Sequence, residues 1–541
     1  MLAKQTDEVQ KWTLPLATIE CQNPATLEKL GEVPSLSPAD VKARVERARQ
    51  AQIAWGQTTF AERRRVLRML LDHIVAHQAE ICRLCSVDSG KTMADAAMGE
   101  IFPVCEKINY LLEHGEADLK TDSRPSGLLM HKAARVEYHP LGVVGVICPW
   151  NFPFHNIFCP TVPALFAGNA VIAKTSEWTA WSAADFQAIF DEVLTKAGYS
   201  PDLVQVITGD GETGRALVNS GVEKIFFTGS PENGRKVMSS ASETLTPVVL
   251  ELGGKDPMII CDDADLDQAV GAAMLGVFTA CGQMCVAAER LYVFDGIYDR
   301  FVDEVVRRVR ALRQGPPSQD PGGRFDLGAL TMPRQLDIIE RQVADAVGKG
   351  ARVLCGGRRA SGLSGQFFEP TVVVDCNHTM DLVQKETFGP VMTIIRVRDE
   401  EEAVRLANDT SYGLGSSVFT KNRRRAERIA KGISAGMTVV NDYGIAYMVQ
   451  AAPFGGTRIS GFGRINGREG LRACCHVKTV VTDKLPIHLP MSLYPIRAAT
   501  FPMLEGAVRL FYGNGFSERA KGVVQVARSL VEMAKQARSD K

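Results

Sequence analysis

The sequence predicts an α/β protein with two doubly wound parallel-sheet lobes, a small β arm and a helical carboxy-terminal extension. Three observations carry this expectation. Short runs rich in valine, isoleucine and phenylalanine alternate with segments of helical period, the pattern of strand–helix–strand winding. The alternation occurs as two separate series, one from Val143 to Phe227 and one from Val248 to Val440. At 541 residues, the chain also exceeds what a single hydrophobic core normally serves.

Ahead of the first series, Ser37 is placed to cap a helix, with Pro38 in its first turn and Asp40 facing its positive end. Residues 41–55 and 60–84 then read as amphipathic helices. Arg124 to Tyr138 combines turn residues with polar–apolar alternation, which suits a protruding β-hairpin. The first series predicts strands at 143–148, 170–173, 204–207 and 224–227, with helices at 156–166, 180–197 and 214–219. The second predicts strands near 258–261, 290–294, 372–374, 391–397 and 438–441. Beyond Leu485 the composition changes. Pro486, Pro490, Pro495 and Pro502 punctuate an extended stretch, followed by helices over 504–512 and 518–537. The last helix places Val523, Ala527, Leu530, Val531 and Ala534 on one face, expected to pack on the body of the protein or on a partner subunit. Peripheral membrane contact through this extension is the sharper alternative.

Charge is balanced at 62 basic and 62 acidic residues, which offers no global attraction to nucleic acid. Thirteen cysteines, several in apolar runs, read as reduced thiols. The first residues contain no apolar signal core, and no apolar run is long enough to span a membrane. A cytoplasmic protein is expected.

The chemistry centres on Cys285, in a run poor in charge and rich in small residues, with Gly282 permitting a turn just before it. A lone cysteine is ordinarily a packed core residue. Two other groups raise this one above that reading. Glu251 precedes a glycine turn after the run 247–250, and Asn151 follows the apolar run 143–148. A thiol, a carboxylate and a carboxamide at the ends of hydrophobic segments are parts for covalent thiol catalysis. Other patterns lead nowhere. His73 and His77 lack the intervening acid of a zinc-protease helix, and Cys82 and Cys85 have no second pair to complete a metal site. Gly90-Lys91-Thr92 imitates a phosphate loop without its first glycine. No metal site is expected. Cys281, four residues before Cys285, reads as a packed small side chain, with oxidative protection of the thiol as the alternative.

Pro149-Trp-Asn-Phe-Pro, Phe227-Thr-Gly-Ser, Glu251-Leu-Gly-Gly-Lys, Gly282-Gln-Met-Cys, Glu386-Thr-Phe-Gly-Pro and Pro453-Phe-Gly-Gly together resemble the aldehyde dehydrogenase superfamily, in the family's order and across most of the chain. The tail beyond about Asp483 looks most like the plant and microbial family 22 branch. The resemblance implies a cofactor-binding domain at 1–123 and 141–250 and a catalytic domain at 251–455. It also implies an oligomerisation arm with linker at 124–140 and 456–490, and an extension at 491–541. A homodimer or homotetramer is expected.

The resemblance further implies NAD-dependent oxidation of an aldehyde to the acid. Cys285 is the implied nucleophile, Asn151 the oxyanion donor, Glu251 the base that activates water, and Lys174 a secondary catalytic group. The implied cofactor surface comprises Pro149, Trp150, Lys174, Glu177, Gly209, Gly214, Phe227, Thr228, Gly229, Ser230, Gly234, Leu252, Glu386 and Phe388. Glu177 would repel a 2′-phosphate, favouring NAD, with NADP as the alternative. The implied substrate tunnel is lined by Phe154, His155, Phe158, Cys159, Met284 and Val286, apolar enough to suit an aliphatic or aromatic aldehyde. Two alternatives are an acyl-transferring or esterase-like thiol enzyme on the same scaffold, and an enzyme-derived scaffold or interaction protein.

Overall fold

A computed structural model of the chain describes residues 17–320, 322–485, 494 and 496–539. Pro486, Pro490, Pro495 and the segment inspected for a signal core lie outside the described residues. The chain divides into two compact units. One runs to Asp122 and from Val136 to Thr479; the other comprises Ser123–Arg135 and the residues from Val480 onwards.

The larger unit contains two parallel-sheet lobes. The first sheet has the order Gly461–Phe462, Val248–Leu252, Lys224–Gly229, Val143–Ile147, Ala170–Lys174, Val204–Ile207. Val143–Ile147 and Ala170–Lys174 are buried at every position, which explains why they read as unbroken apolar runs rather than alternating ones. From Val143–Ile147 the chain winds outward through two strands, then returns to the other side to form Lys224–Gly229. The order of the sheet therefore reverses between Val143–Ile147 and Lys224–Gly229. Crevices at such reversals, beyond the carboxyl ends of the strands, are where doubly wound sheets bind ligands.

The second sheet has the order Arg352–Cys355, Thr371–Val374, Val391–Val397, Ala288–Phe294, Asp256–Ile260, Ser417–Phe419, Val439–Val440, all parallel except the antiparallel first pair. Only Gly253 to Lys255 separates the last residue of Val248–Leu252 from the start of Asp256–Ile260. The carboxyl end of a first-lobe strand thus leads directly into the amino-terminal edge of the second sheet.

Several elements differ from expectation. Arg352–Cys355, Ser417–Phe419 and the hairpin of Thr18–Gln22 with Lys29–Pro34 are additional strands, short or polar enough to carry little period-two signal. Gly461–Phe462 pairs antiparallel with Val248–Leu252, and Leu471 and Cys474 pack in the first lobe's core. Residues 456–474 therefore return to the first sheet instead of serving as linker. The helix capped by Ser37 forms as expected over Pro38–Trp55, with reciprocal Ser37 and Asp40 hydrogen bonds.

Strands Asp122–Arg124, Lys132–Pro140 and Cys475–Asp483 make a three-stranded sheet. The smaller unit ends in two helices, Thr500–Tyr512 and Phe516–Ser539. Val523, Ala527, Leu530, Val531 and Ala534 are exposed in the single chain.

Candidate active site

The first lobe supplies most of the site from the carboxyl ends of its strands. Pro149, Trp150 and Asn151 follow Val143–Ile147, and Lys174 closes Ala170–Lys174 with Glu177 just beyond it. Gly209 follows Val204–Ile207, whereas Phe227, Thr228 and Gly229 end Lys224–Gly229, and Glu251 and Leu252 end Val248–Leu252. Residues that are distant in sequence share one crevice because the strands are parallel.

Cys285 comes from the second lobe, on the loop between helix Leu266–Phe278 and strand Ala288–Phe294. The loop turns through three consecutive left-handed residues: Ala280 (φ 48°), Cys281 (φ 56°) and Gly282 (φ 73°). For the two non-glycine residues this costs about 1–3 kcal/mol each, so the surroundings have to hold the conformation in place. They do. Asp95 Oδ1 accepts from Ala280 N at 3.0 Å, and Gln283 Nε2 donates to Ala280 O at 3.0 Å. Thr331 N donates to Gln283 Oε1 at 2.9 Å, and Tyr443 OH donates to Val286 O at 2.9 Å. A Cβ on Gly282 would lie 2.3 Å from Gly389 O, so glycine is required by space as well as by φ. Cys281 is buried with its thiol on Gly328 O, consistent with a packing role.

Glu251 and Cys285 interact directly. Burial pushes the Glu251 carboxyl up to about 7, against a lowering contribution from the Cys285 thiol. Burial, followed by the Glu251 charge, raises the thiol well above its ordinary range. The resting thiol is therefore protonated, beside a carboxyl poised near neutrality. Glu251 Oε1 has no hydrogen-bond partner among the described residues, although it is buried. An ion pair with Lys255 could have satisfied it, but Lys255 pairs with Glu289 and donates to Thr387 Oγ1 at 2.9 Å. Burying a carboxylate without a hydrogen-bond partner is costly, and carboxyls perturbed in this way cluster at functional sites.

Asn151 stands opposite, its Nδ2 donating to Gln283 O at 2.9 Å, which leaves one amide hydrogen for another acceptor. Its main-chain oxygen accepts from Lys91 Nζ at 2.6 Å, and Lys91 is in turn paired with Glu100 at 2.5 Å. Lys91 also lies 4.0 Å from the Phe152 ring centroid. Glu100 Oε2 accepts from His155 N at 2.8 Å. Lys91 and Glu100 are fully buried and fix the turn that presents Asn151. Sequence reasoning discarded Lys91 as part of a false phosphate loop. Glu100 lies in a π-helical turn, Ala97–Ile101, a distortion that often marks functional sites but has no single-sequence signature.

The crevice at the sheet reversal fits a dinucleotide. Helix Pro231–Ser242 starts there, with Ser230 Oγ accepting from Asn233 N at 3.2 Å, so its free N–H groups and positive end face the crevice. A Cβ on Gly234 would meet the Leu252 side chain at 2.9 Å, and one on Gly229 the Phe227 ring at 2.7 Å. Both glycines keep this turn close to the sheet. Lys174 Nζ lies 3.7 Å from Glu177 Oε2 at the crevice edge, with Lys174 buried and Glu177 exposed enough to meet a ligand. A Cβ on Gly209 would fall 2.0 Å from Thr213 Oγ1, and Gly214 lies inside the following helix, Gly211–Val218. On the second-lobe side, Trp150 and Phe388 meet edge to face at 5.3 Å. Glu289 accepts from the backbone N–H groups of Thr387 and Phe388, holding Phe388 at φ 52°, and Gly254 N donates to Glu386 Oε1 at 3.0 Å.

The expected tunnel residues divide. Met284 and Val286 are half-buried beside the thiol. Phe154 and Phe158 stack on one another at 4.0 Å within the first lobe's core, with Phe186 and Phe190 around them, and so support the helix without lining a passage. Helical period alone could not distinguish the two faces of this short helix, which has only His155, Asn156 and Thr161 as polar residues. His155 bonds Gly99 O and Tyr447 OH at 2.9 and 2.6 Å, and burial depresses it to about 3, so the ring is neutral. Cys159 is buried, its thiol pushed up to about 11. Tyr443, Tyr447, Phe454 and Met437 share a pocket with Val286 and Asp256; sequence reasoning missed the two tyrosines, which lie in and beside the single helical turn Ile445–Met448, too short to show a period. No arginine or lysine lines it. Among the described residues no group of three or more His, Cys, Asp or Glu side chains is placed to hold a metal ion.

The chain matches the profile of the Aldehyde dehydrogenase family over residues 12–480. It is 39% identical over 512 residues to an aldehyde dehydrogenase-like protein of Schizosaccharomyces pombe, covering 93% of this chain and 97% of the relative. It is 36% identical over 462 residues to the NADP-dependent succinate-semialdehyde dehydrogenase of Escherichia coli, covering 85% and 93%. Among solved structures, it resembles the betaine aldehyde dehydrogenase of Staphylococcus aureus in complex with NAD+. That match has a TM-score of 0.80 and 31% identity, covering 88% of this chain and 93% of the other.

Proposed function

Because this chain belongs to the aldehyde dehydrogenase family, we propose that it oxidises a neutral, apolar aldehyde to the carboxylic acid through a thioester on Cys285. The observation that carries this reading is the pairing of Glu251 and Cys285, one carboxylate oxygen being left free in a buried site.

The Cys285 thiol loses its proton to solvent and its sulfur bonds the carbonyl carbon. The oxygen becomes an oxyanion, accepting from the Asn151 amide and the Cys285 N–H. One such donor typically contributes about 3 kcal/mol to the barrier. A nicotinamide dinucleotide, which Ser230, Gly234 and Glu177 would hold in the crevice, would supply the hydride acceptor. Loss of hydride from the carbon leaves the acyl thioester. Glu251, once it has released its proton to solvent, takes a proton from water as the water oxygen attacks the thioester carbon. The carbon–sulfur bond then breaks, and acid leaves as the thiol is restored. A reactive carboxylate at 251 favours hydrolysis over transfer to another thiol.

The absence of a cationic clamp in the pocket beside Val286 supports a neutral substrate. Glu177 at the edge supports NAD over NADP, because a 2′-phosphate would meet its charge. The three-stranded arm sheet supports a homodimer or homotetramer, and thirteen unpaired cysteines support a reducing, cytoplasmic setting.

NADH formation with a panel of aldehydes tests this reading. Medium-chain aliphatic and aromatic aldehydes should be oxidised with higher kcat/KM than ω-carboxy semialdehydes, and faster with NAD than with NADP. Cys285→Ser should abolish the signal. A preference for the carboxylated aldehydes, or equal kcat/KM with NADP, would contradict the substrate and cofactor assignments respectively.

A further inference from the structure

The two carboxy-terminal helices run antiparallel and meet through small residues. A Cβ on Gly506 would lie 2.9 Å from Val526 N, and one on Gly522 would lie 2.4 Å from Leu510 N. Glu505 and Gln525 bridge the pair at 2.7 Å, and Arg497 bonds Met533 O at 3.0 Å. The bulky apolar residues are therefore outside. In the first helix Phe501, Leu504, Val508 and Phe511 recur at the spacing of one helix face, opposite the glycine seam. Phe516, at the head of the second helix, is also outside. Phe501 is 73% exposed and Phe516 is 89% exposed. Exposed apolar surface of this extent marks an interaction site.

The charge pattern identifies what it meets. The whole chain is balanced, yet between residues 496 and 539 seven side chains are Lys or Arg and three are Glu. Lys521, Arg528 and Lys535 recur every seven residues, forming one row along the second helix beside exposed Val524 and Val531. Bulky aromatics on one helix and a cationic row on the other match a lipid interface, where apolar groups enter the acyl boundary and cations remain among anionic headgroups. Among the described residues no helix is long and apolar enough to cross a membrane, so such contact is peripheral. A second copy of the hairpin would set its own positive surface against another, an unfavourable arrangement.

We propose that residues 500–539 form a peripheral membrane anchor that seats on an anionic lipid surface. Its test is independent of the catalytic assignment. The full-length protein is expected to co-sediment with mixed phosphatidylcholine–phosphatidylserine vesicles, to bind pure phosphatidylcholine weakly, and to release at high salt. Reversing three cations (Lys521→Glu, Arg528→Glu, Lys535→Glu) should weaken binding at least about a hundredfold. The triple change Phe501→Ser, Val508→Ser and Phe511→Ser should also release the protein from vesicles, while its solution mass and its activity toward soluble aldehydes stay as in the wild type. Failure of the wild type to bind mixed vesicles would overturn the proposal. So would equal binding by wild type and both variants, or a fall in solution mass in the serine variant, which would show that the face joins two copies.

Discussion

At the residue scale, function rests on how burial tunes a few polar groups. Glu251 lies near neutrality because desolvation penalises its charge, and the base role proposed for it requires the ionised form. Below about pH 7 it holds a proton and deacylation slows; above, it ionises and turnover rises. The acid limb of the kcat–pH profile should therefore have its midpoint near 7. Glu251→Gln should remove that limb and lower kcat by at least about a hundredfold, with hydride transfer in the first turnover retained. Lys91 contributes differently, since it bonds the main-chain oxygen of Asn151 and not its amide. Lys91→Met alone would strand Glu100 as an unpaired buried carboxyl and destabilise the protein by about 3–5 kcal/mol. The double variant Lys91→Met/Glu100→Gln avoids this. We expect it to fold and bind NAD normally, while kcat falls about tenfold through a less well held oxyanion donor. Calorimetric NAD titration beside steady-state kinetics checks both parts, and wild-type kcat in the folded double variant would refute the positioning role.

At the element scale, the strained loop before Cys285 is the critical piece. It needs Gly282 because Gly389 O closes the space where a side chain would go. Gly282→Ala should cost about 1–2 kcal/mol for the left-handed backbone, and more for the clash, while lowering kcat by displacing the thiol. Chemical denaturation and steady-state rates on the same variant should show both effects. The alternating strands and helices were legible in the sequence because buried parallel strands are uninterrupted apolar runs. Val204–Ile207 and Val391–Val397 have the bounds that pattern implied. What escaped was set by tertiary contact. Gly461–Phe462 is a strand only because Val248–Leu252 offers it an edge. Phe154 and Phe158 face the core because their helix is largely apolar and its neighbours decide which side is lined. The motifs carrying Glu251 and Asn151 end neighbouring segments of the first lobe, and Asn151 bonds Gln283 O in the loop that carries Cys285. The buried Lys91–Glu100 support could not be read from spacing, since lysine and glutamate nine apart ordinarily lie in solvent.

At the scale of the whole molecule, two sheets divide the labour. The first presents the carboxyl ends of its strands as a crevice, and the second delivers a thiol on a loop entering that crevice. The two sheets are joined by a connection of only three residues after Leu252, one residue beyond Glu251. The most direct measurement is peptide mass spectrometry of Glu251→Gln quenched after one turnover with an aldehyde and NAD. The account predicts an acyl group on the peptide containing Cys285, formed together with a burst of one NADH per site. A full burst with Cys285 unmodified, or turnover surviving in Cys285→Ser, would contradict it.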